Sequence, residues 1–235
     1  MSTTGPVRQQ LTDEVADRLR WKIMTGELAS GDFIRLDEAA VEFGCSVTPV
    51  REALVTLRSE GLVRSYAHRG FAVEALSRRD VIDIFWMQAE LSARMAMRVP
   101  ERPDLSTALP GLSEIVDRME AAVDAGDIPT VSATEFEFHR GVYRLSDSPK
   151  AARLLASVAR YSPFELYAQD PEWGRLAVAS HRRLITMLSD DDKPGIHAET
   201  RAVFTDARDR LIARLGASGF WQDRPGLDEE RQSGA

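Results

Sequence analysis

Three residues in the second half of the chain carry side chains that could hold a metal ion. Glu135 and His139 stand four residues apart in the run EFEFH, so both project from one face of a helix. A carboxylate oxygen and an imidazole on adjacent turns form half of a site for a divalent cation. His181, in the run SHRRLI, lies on another amphipathic helix. The spacing alone leaves two interpretations open, a metal half-site or an ordinary hydrogen bond at the surface.

A second group of candidate residues consists of arginines between positions 46 and 70. This segment holds four arginines against two glutamates, a local excess of +2. Arg51 falls in the first turn of a predicted helix, where the positive helix macrodipole disfavours a cation by roughly 0.3–1 kcal/mol. A purely structural helix would more often have an acidic residue there, so Arg51 favours contact with DNA phosphates or base edges. The alternative is a solvated surface arginine.

The helix that would present Arg51 has clear start and stop signals. Thr48 is predicted to be its N-cap and Pro49 its first residue, and Gly61 ends it. Apolar residues recur at positions i, i+3, i+4 and i+7 and predict a buried stripe, with Arg51, Val55 and Arg58 on the opposite side. The residues of the stripe are Val50, Ala53, Leu54 and Leu57.

A change of period after Gly61 predicts a β-hairpin. Residues 62–66 and 70–73 form its two strands, and Ala67, His68 and Arg69 lie at the tip. A hairpin tip of this kind can bring a long cationic side chain into a minor groove. The pair of elements is therefore a recognition helix followed by a β-ribbon wing.

The rest of the chain is predicted to be helical. Residues 1–10 form a loose arm, and helices at 11–25 and 37–43 precede the recognition helix. After residue 77 no strand is expected, and Pro110 and residues 163–170 fall in irregular segments. Six helices with short connections indicate an antiparallel bundle. Their expected ranges are 80–99, 112–125, 129–146, 150–162, 173–188 and 195–215.

Composition restricts the partners and the compartment. The 235 residues have a net charge of −7. The first 76 hold nine basic and eleven acidic residues, so DNA binding must depend on a local basic face, on two copies acting together, and on low salt. The single cysteine, Cys45, excludes an intrachain disulfide and suits a packed residue, with redox sensing as the alternative. The absence of a signal peptide and of a long apolar run favours a cytoplasmic location without membrane partners.

The run from Val15 to Val73 resembles the winged helix-turn-helix of the GntR superfamily of bacterial transcription regulators. The matching motifs are GEL at 26–28, TPVREAL at 48–54, L-x-x-EGLV at 57–63 and HRG at 68–70. Family members usually have a DNA-contacting arginine just before the Thr-Pro pair, where this chain has Val47, which could contact a thymine methyl group. The resemblance implies DNA contacts from Ser46, Val47, Thr48, Arg51, Arg58, His68 and Arg69.

Residues from about 80 to 215 resemble the FCD domain, the all-helical ligand-binding domain of the FadR-like branch. The motifs are E-x-x-F-H-R at 135–140, S-x-S-P at 146–149 and H-R-R-L-I at 181–185. Many members hold a metal through an aspartate and three histidines, and the metal binds a carboxylate effector. Here Glu135 replaces the aspartate and Val203 lies where the third histidine is expected. His197 lies six residues earlier, about 240° around the helix, and faces elsewhere.

The resemblance leaves two forms of the effector site open. Glu135, His139 and His181 could hold Zn, Ni or Mn with an incomplete ligand set. Alternatively, the cavity has no metal, as in members that bind acyl-CoA thioesters. Trp86 stands where the family often has arginine, and with Phe138, Tyr161, Phe164 and Tyr167 it indicates a wide apolar pocket. The predicted effector-binding residues are Trp86, Glu135, His139, Tyr161, Tyr167 and His181.

The sequence therefore predicts a mainly α protein with three segments. Residues 1–76 are a winged helix-turn-helix with a small β-hairpin wing, 77–222 an effector-binding and dimerising antiparallel bundle, and 223–235 a disordered tail. The predicted function is a homodimeric, non-enzymatic transcription repressor on a pseudo-palindromic operator, controlled by a small carboxylate or acyl-CoA-like metabolite. A metal-dependent hydrolase is the first alternative, although no G-x-S-x-G motif is present and only Glu137, on the opposite face, offers a second carboxylate. A protein-binding adaptor is the second alternative.

Overall fold

The computed structural model describes residues 5–66, 69–217 and 220–221, and the predicted tail at 223–235 lies outside the described residues. The chain divides into two compact units, one of residues 1–80 with 212–235 and one of residues 81–211. The mainly α fold predicted from sequence is confirmed.

Residues 5–73 of the N-terminal unit form three helices and a small antiparallel sheet. The central strand of the sheet pairs with both others, in the order β1-β3-β2. The two-residue strand β1 was not predicted, because so short a strand has no detectable alternation. The elements are α1 (Gly5–Met24), β1 (Phe33–Ile34), α2 (Leu36–Glu42), α3 (Val47–Ser59), β2 (Val63–Tyr66) and β3 (Gly70–Val73).

The recognition helix α3 has the predicted apolar stripe but begins earlier than predicted. Val50, Leu54 and Leu57 are fully buried, which confirms the stripe. The helix starts at Val47 with Ser46 as its N-cap, so the assignment of Thr48 as the cap was wrong. Pro49 is the third helical residue, which is tolerated because first-turn amides have no intrahelical acceptor. The prediction of a loose arm at 1–10 was also wrong for residues 5–10, since α1 begins at Gly5, and residues 1–4 lie outside the described residues.

A buried ion pair holds the end of α3 against α1. Arg20 on α1 donates from Nε to Oε2 of Glu60 at 2.8 Å and from Nη2 to Oε1 at 2.9 Å. The side chains are only 6% and 13% exposed. Arg20 also donates to the exposed Asp17. A two-point contact of this kind sets both the position and the rotation of α3.

We expect Glu60→Gln to lower the free energy of unfolding by about 1.5–3 kcal/mol, because it removes a charged acceptor from a buried guanidinium. Glu38→Gln is the matched control, since the Arg35–Glu38 pair is more than 70% exposed on both sides and should change stability by less than about 1 kcal/mol. Urea denaturation followed by circular dichroism measures both. Equal effects of the two substitutions would show that the Arg20–Glu60 pair contributes no more than a surface pair.

The C-terminal unit is helical throughout its described length. Two predictions were wrong here. Pro110 lies inside α5, where burial of Leu109 and Leu112 offsets the lost backbone hydrogen bond, and residues 164–168 form a short helix. Besides a 3-10 turn (Val99–Glu101), the elements are α4 (Arg78–Ala96), α5 (Leu105–Ala125), α6 (Ile128–Leu145), α7 (Pro149–Ala159), α8 (Phe164–Ala168), α9 (Pro171–Ser189) and α10 (Lys193–Ala217).

Close helix contacts position α6 and α9. These two helices carry Glu135, His139 and His181, which are called the acid–histidine cluster below. Both α6 and α9 pack against α5. A Cβ added at Gly141 on α6 would lie 2.7 Å from Cδ2 of Leu112, and one at Gly174 on α9 would lie 2.8 Å from Cγ2 of Val123. The two glycines therefore permit helix approaches that any larger residue would obstruct. Asp127 starts α6 by accepting a hydrogen bond from the backbone N–H of Thr130 at 3.2 Å.

Candidate functional site

The exposed face of α3 carries positive charge. The two acidic residues between positions 46 and 70, Glu52 and Glu60, both contact α1 instead of facing solvent on that side. Glu52 accepts a hydrogen bond from the Thr12 hydroxyl at 3.0 Å, and Glu60 is paired with Arg20. Arg51 and Arg58 are exposed on the other side of the helix. The arrangement leaves cationic groups outward and neutralises the anionic ones inward, as a surface facing phosphates requires.

The other predicted DNA-contacting residues flank this face in sequence. Ser46 and Thr48 are exposed and Val47 is half-buried at the start of α3. Arg69 is exposed at the wing, whereas His68 lies outside the described residues. Arg64 on β2 forms an ion pair with Glu74. The cationic surface of this unit therefore includes the exposed side chains of Arg51, Arg58 and Arg69.

Glu135, His139 and His181 meet in the C-terminal unit. Nε2 of His139 lies 2.9 Å from Oε1 of Glu135, and Nε2 of His181 lies 2.7 Å from Oε2. One ligand atom from each residue falls within 4.8 Å of the others. A carboxylate and two imidazoles at this separation form a donor set suited to a divalent transition metal. The sequence anticipated the α6 pair, and the fold adds His181 from α9.

The carboxyl group of Glu135 is ionised although it is buried. Burial alone would raise its pKa, but the attraction and hydrogen bonds of His181 and His139 hold the pKa of Glu135 well below its usual range. A carboxyl group binds a cation in its ionised form, and the position of Glu135 between two imidazoles therefore suits it as a ligand.

A second layer of contacts orients the two histidines. The Tyr143 hydroxyl lies 3.3 Å from Nδ1 of His139 and 2.9 Å from the Ser92 hydroxyl. Burial raises the pKa of Tyr143 above its usual range, so this group stays a neutral hydroxyl. The ring of Phe138 stacks on His181 with centroids 3.9 Å apart. Partners of this kind set the tautomer and ring orientation of histidine ligands.

The residues near the expected third histidine offer no further imidazole to the cluster. Val203 lines a small void beside His139 and His181, so this position of α10 faces the cluster but presents a methyl group. His197 instead lies 3.6 Å from Glu90 on α4. Glu137 is also outside the cluster, exposed and paired with Arg118 at 2.6 Å. Glu137 therefore does not provide the second carboxylate that the hydrolase alternative requires.

A cavity of about 570 Å³ opens onto Glu135 and His139. Its volume is within the range of small-molecule sites. Most of its wall is apolar and comes from α7, α8 and α10, whereas α6 supplies the polar edge. The lining residues are Gln88, Glu135, Phe136, His139, Arg140, Tyr143, Arg144, Asp147, Ser148, Pro149, Ala152, Leu155, Ala156, Ala159, Phe164 and Phe204.

Four of the predicted effector-binding residues do not line this cavity, namely Trp86, Tyr161, Tyr167 and His181. Trp86 is 57% exposed on α4, because its position on the helix turns away from the interior. Tyr167 is buried beside Trp173, with ring centroids 5.8 Å apart, and Tyr161 also lies off the lining. In contrast, Gln88, Arg140 and Arg144 line the cavity and were not predicted. The two arginines could have been found from sequence, because Arg140 and Arg144 stand four residues apart directly after His139 and so lie on one side of the same helix.

A winged helix-turn-helix with a cationic outer face, together with a helical unit that holds a ligand-sized cavity, defines a ligand-responsive transcription regulator. Comparison with known families agrees. Residues 11–73 match the model for bacterial regulatory proteins of the gntR family, and residues 83–206 match the FCD domain. The chain belongs to the GntR family and carries an FCD domain. It is a DNA-binding transcription regulator with an effector-binding domain.

Characterised relatives and solved structures cover most of the chain. The HTH-type transcriptional regulator McbR of Escherichia coli is 26% identical over 200 residues, 83% of this chain and 90% of McbR. The gluconate operon transcriptional repressor of Bacillus subtilis is 29% identical over 133 residues, 57% of this chain and 54% of the repressor. The solved structure of E. coli McbR/YncC has a TM-score of 0.61 at 24% identity, covering 88% of this chain and 98% of that one, and shows the same fold.

None of the helices in the described ranges is long and apolar enough to span a bilayer. The relatives are transcription regulators and give no positive indication of catalysis.

Proposed function

We propose that this protein represses transcription as a homodimer. Two copies of α3 would lie about 34–36 Å apart, in successive major grooves of a pseudo-palindromic operator. The observation that carries the proposal is the asymmetry of α3, which directs Arg51 and Arg58 outward while Glu52 and Glu60 bond to α1. A relative named as a gluconate operon repressor supports the negative sense of regulation.

The DNA contacts are proposed at both ends of α3 and at the wing. Arg51 and its neighbours at the helix start would contact base edges, whereas Arg58 and the wing would contact phosphates and the minor groove. Because the chain as a whole carries a charge of −7, the affinity should depend on these few cations and on salt. The full set is Ser46, Val47, Thr48, Arg51, Arg58, His68 and Arg69.

The helical unit is proposed to bind an organic acid that controls operator binding. Its cavity has the volume for a small metabolite and reaches Glu135 and His139. Effector binding would shift the population between dimers that can and cannot place both α3 helices on the operator. This proposal requires the ligand to have different affinities for the two arrangements, since equal affinities would shift nothing.

The acid–histidine cluster is proposed to hold a divalent metal such as Zn, Ni or Mn. The residues fit such an ion, because an ionised carboxylate and two imidazole nitrogens converge within 4.8 Å. Metal binding requires the Nε2 lone pair of His139, and its proton can then reside on Nδ1, where the Tyr143 hydroxyl can accept it in a hydrogen bond. The metal would supply a positive charge for an effector oxygen.

An electrophoretic mobility shift with the DNA upstream of the protein's own gene tests the regulator. We expect a retarded complex of one dimer with one duplex, as sized by analytical ultracentrifugation, and an affinity that falls about 10³–10⁵-fold between 50 and 200 mM salt if six to ten phosphates are contacted. A scrambled duplex of equal composition is the control. A strictly monomeric protein that binds both duplexes equally would contradict the proposal.

A further inference from the structure

One buried donor in the cavity has no partner among the described residues. Gln88 on α4 is fully buried and lines the cavity. Its Oε1 accepts a hydrogen bond from the Ser162 hydroxyl at 3.1 Å, whereas its Nε2 has no acceptor. Ser162 therefore fixes the amide with its NH₂ group on the unpartnered side. Leaving such a donor unsatisfied costs free energy in the absence of a ligand or water, so Gln88 is a candidate for ligand recognition.

Two unpaired cations lie at the exposed rim of the same cavity. Arg140 and Arg144 are one turn apart on α6, are exposed, and both line the cavity. Neither makes an ion pair or a side-chain hydrogen bond within the described structure. Acidic residues outnumber basic ones in the chain, 37 to 30, and several other exposed arginines of this unit form ion pairs, so two neighbouring arginines without one are available to an anionic ligand. Examples of paired arginines are Arg118, Arg182, Arg183 and Arg201.

The charges of the cavity determine which end of a ligand lies where. Arg140 and Arg144 provide a pair of guanidinium groups that suits a carboxylate or a phosphate, although Asp147 at the same rim weakens their field. Two guanidinium groups at the rim therefore favour the binding of the anionic group of a ligand at that end.

We propose that the cavity binds an elongated organic acid with two polar ends. Its anionic group, a carboxylate or a phosphate, pairs with Arg140 and Arg144. An oxygen acceptor at its other end receives the hydrogen bond of the Gln88 amide. The body between them is apolar and packs against α7 and the rings of Phe164 and Phe204. The inference rests on the proposed effector role of the cavity and specifies the chemical class of the effector.

Three model compounds of similar length, two acids and a neutral diester, test the two ends separately. Monomethyl decanedioate carries a carboxylate and a distant carbonyl group, dodecanoate lacks the carbonyl group, and dimethyl decanedioate lacks the charge. Isothermal titration calorimetry with the full chain measures each dissociation constant. We expect the monoester to bind about tenfold more tightly than either of the other two compounds, which is the effect of one hydrogen bond to a buried donor or of one charge-assisted contact.

Variants assign each difference to its residues. Gln88→Met should equalise the monoester and dodecanoate, and Arg140→Gln/Arg144→Gln should equalise the monoester and the diester. The double variant Arg153→Gln/Arg175→Gln is the control, since both are exposed arginines away from the cavity lining and their loss changes the net charge equally. It should leave all three constants within about twofold.

The comparison of probes on the unmodified protein keeps the inference testable even if Gln88→Met fails to fold. Three results would overturn the inference. Dodecanoate could bind as tightly as the monoester, none of the probes could bind, or the two double variants could have equal effects. The mobility shift measured without any probe reports separately on the proposed regulator. A retained operator complex beside a failed probe series would reject the ligand class and leave the DNA-binding function in place.

Discussion

Arg51→Ala should weaken operator binding by about 1–3 kcal/mol, which corresponds to a loss of about fivefold to more than a hundredfold. Arg51 is the fifth residue of α3, in its second turn, and is exposed, with no ion pair or side-chain hydrogen bond among the described residues to compensate its charge. A two-point contact with a guanine edge would supply that compensation. Fluorescence anisotropy with the upstream duplex measures the affinity, and substitution of single base pairs measures the preference.

Two further variants separate recognition from charge. Arg51→Lys keeps the charge but loses the planar guanidinium, so the salt dependence should stay while base preference at one position relaxes. Arg175→Ala removes an exposed arginine on α9 and should leave the affinity within about twofold. If Arg51→Ala also left binding and base preference unchanged, Arg51 would be an ordinary solvated residue and α3 would not be the element that recognises bases.

Glu135→Gln should lower the affinity for Zn²⁺ or Ni²⁺ by at least about a hundredfold. Loss of a residue that only supports a metal ligand lowers metal affinity by about 10–100-fold, and loss of a ligand itself should cost at least as much. Glu135 provides the negative charge of the cluster, and both imidazoles bond to its two oxygens. Glutamine keeps the volume but cannot provide an anionic ligand. Elemental analysis after dialysis and competition with a chromophoric chelator measure the bound metal.

Glu137→Gln is the matched control for this prediction. Glu137 lies two residues further along α6, is half-exposed, and pairs with Arg118, so metal content should not change. Operator binding by the ligand-free Glu135→Gln protein should stay within about twofold of the unmodified protein, because no residue of α3 or the wing is altered. Equal metal content in the two variants would show that Glu135 only orients the histidines by hydrogen bonds.

The parts of the fold that could be predicted are those with local signals. The apolar stripe of α3 follows from the helical period, and Val50, Leu54 and Leu57 are indeed fully buried. Local sequence signals gave wrong helix boundaries where tertiary packing outweighs local conformational preference. Pro110 would end an isolated helix, yet α5 continues through it because the flanking leucines are buried.

The candidate site divides in the same way. Glu135 and His139 could be paired from sequence because one helical turn joins them, and the family motifs drew attention to His181. Trp86 was assigned to the effector pocket from family position alone, and the helix turns it outward. Gln88 gave no signal, because a glutamine in a helix is ordinary unless its surroundings leave the amide without a partner.

The class of protein can be inferred from short stretches of the chain. Local period, turn residues and the TPVREAL and EGLV motifs are encoded within such stretches, and they specify a winged helix-turn-helix followed by a helical domain. Which side chains share one cavity cannot be inferred in this way. That depends on the close packing of α6 and α9 on α5, which joins Glu135 to His181 across 46 positions of the chain, and on burial, which turns an ordinary glutamine into an unsatisfied donor. Burial and long-range proximity are properties of the whole packed unit, so no short stretch of sequence contains them.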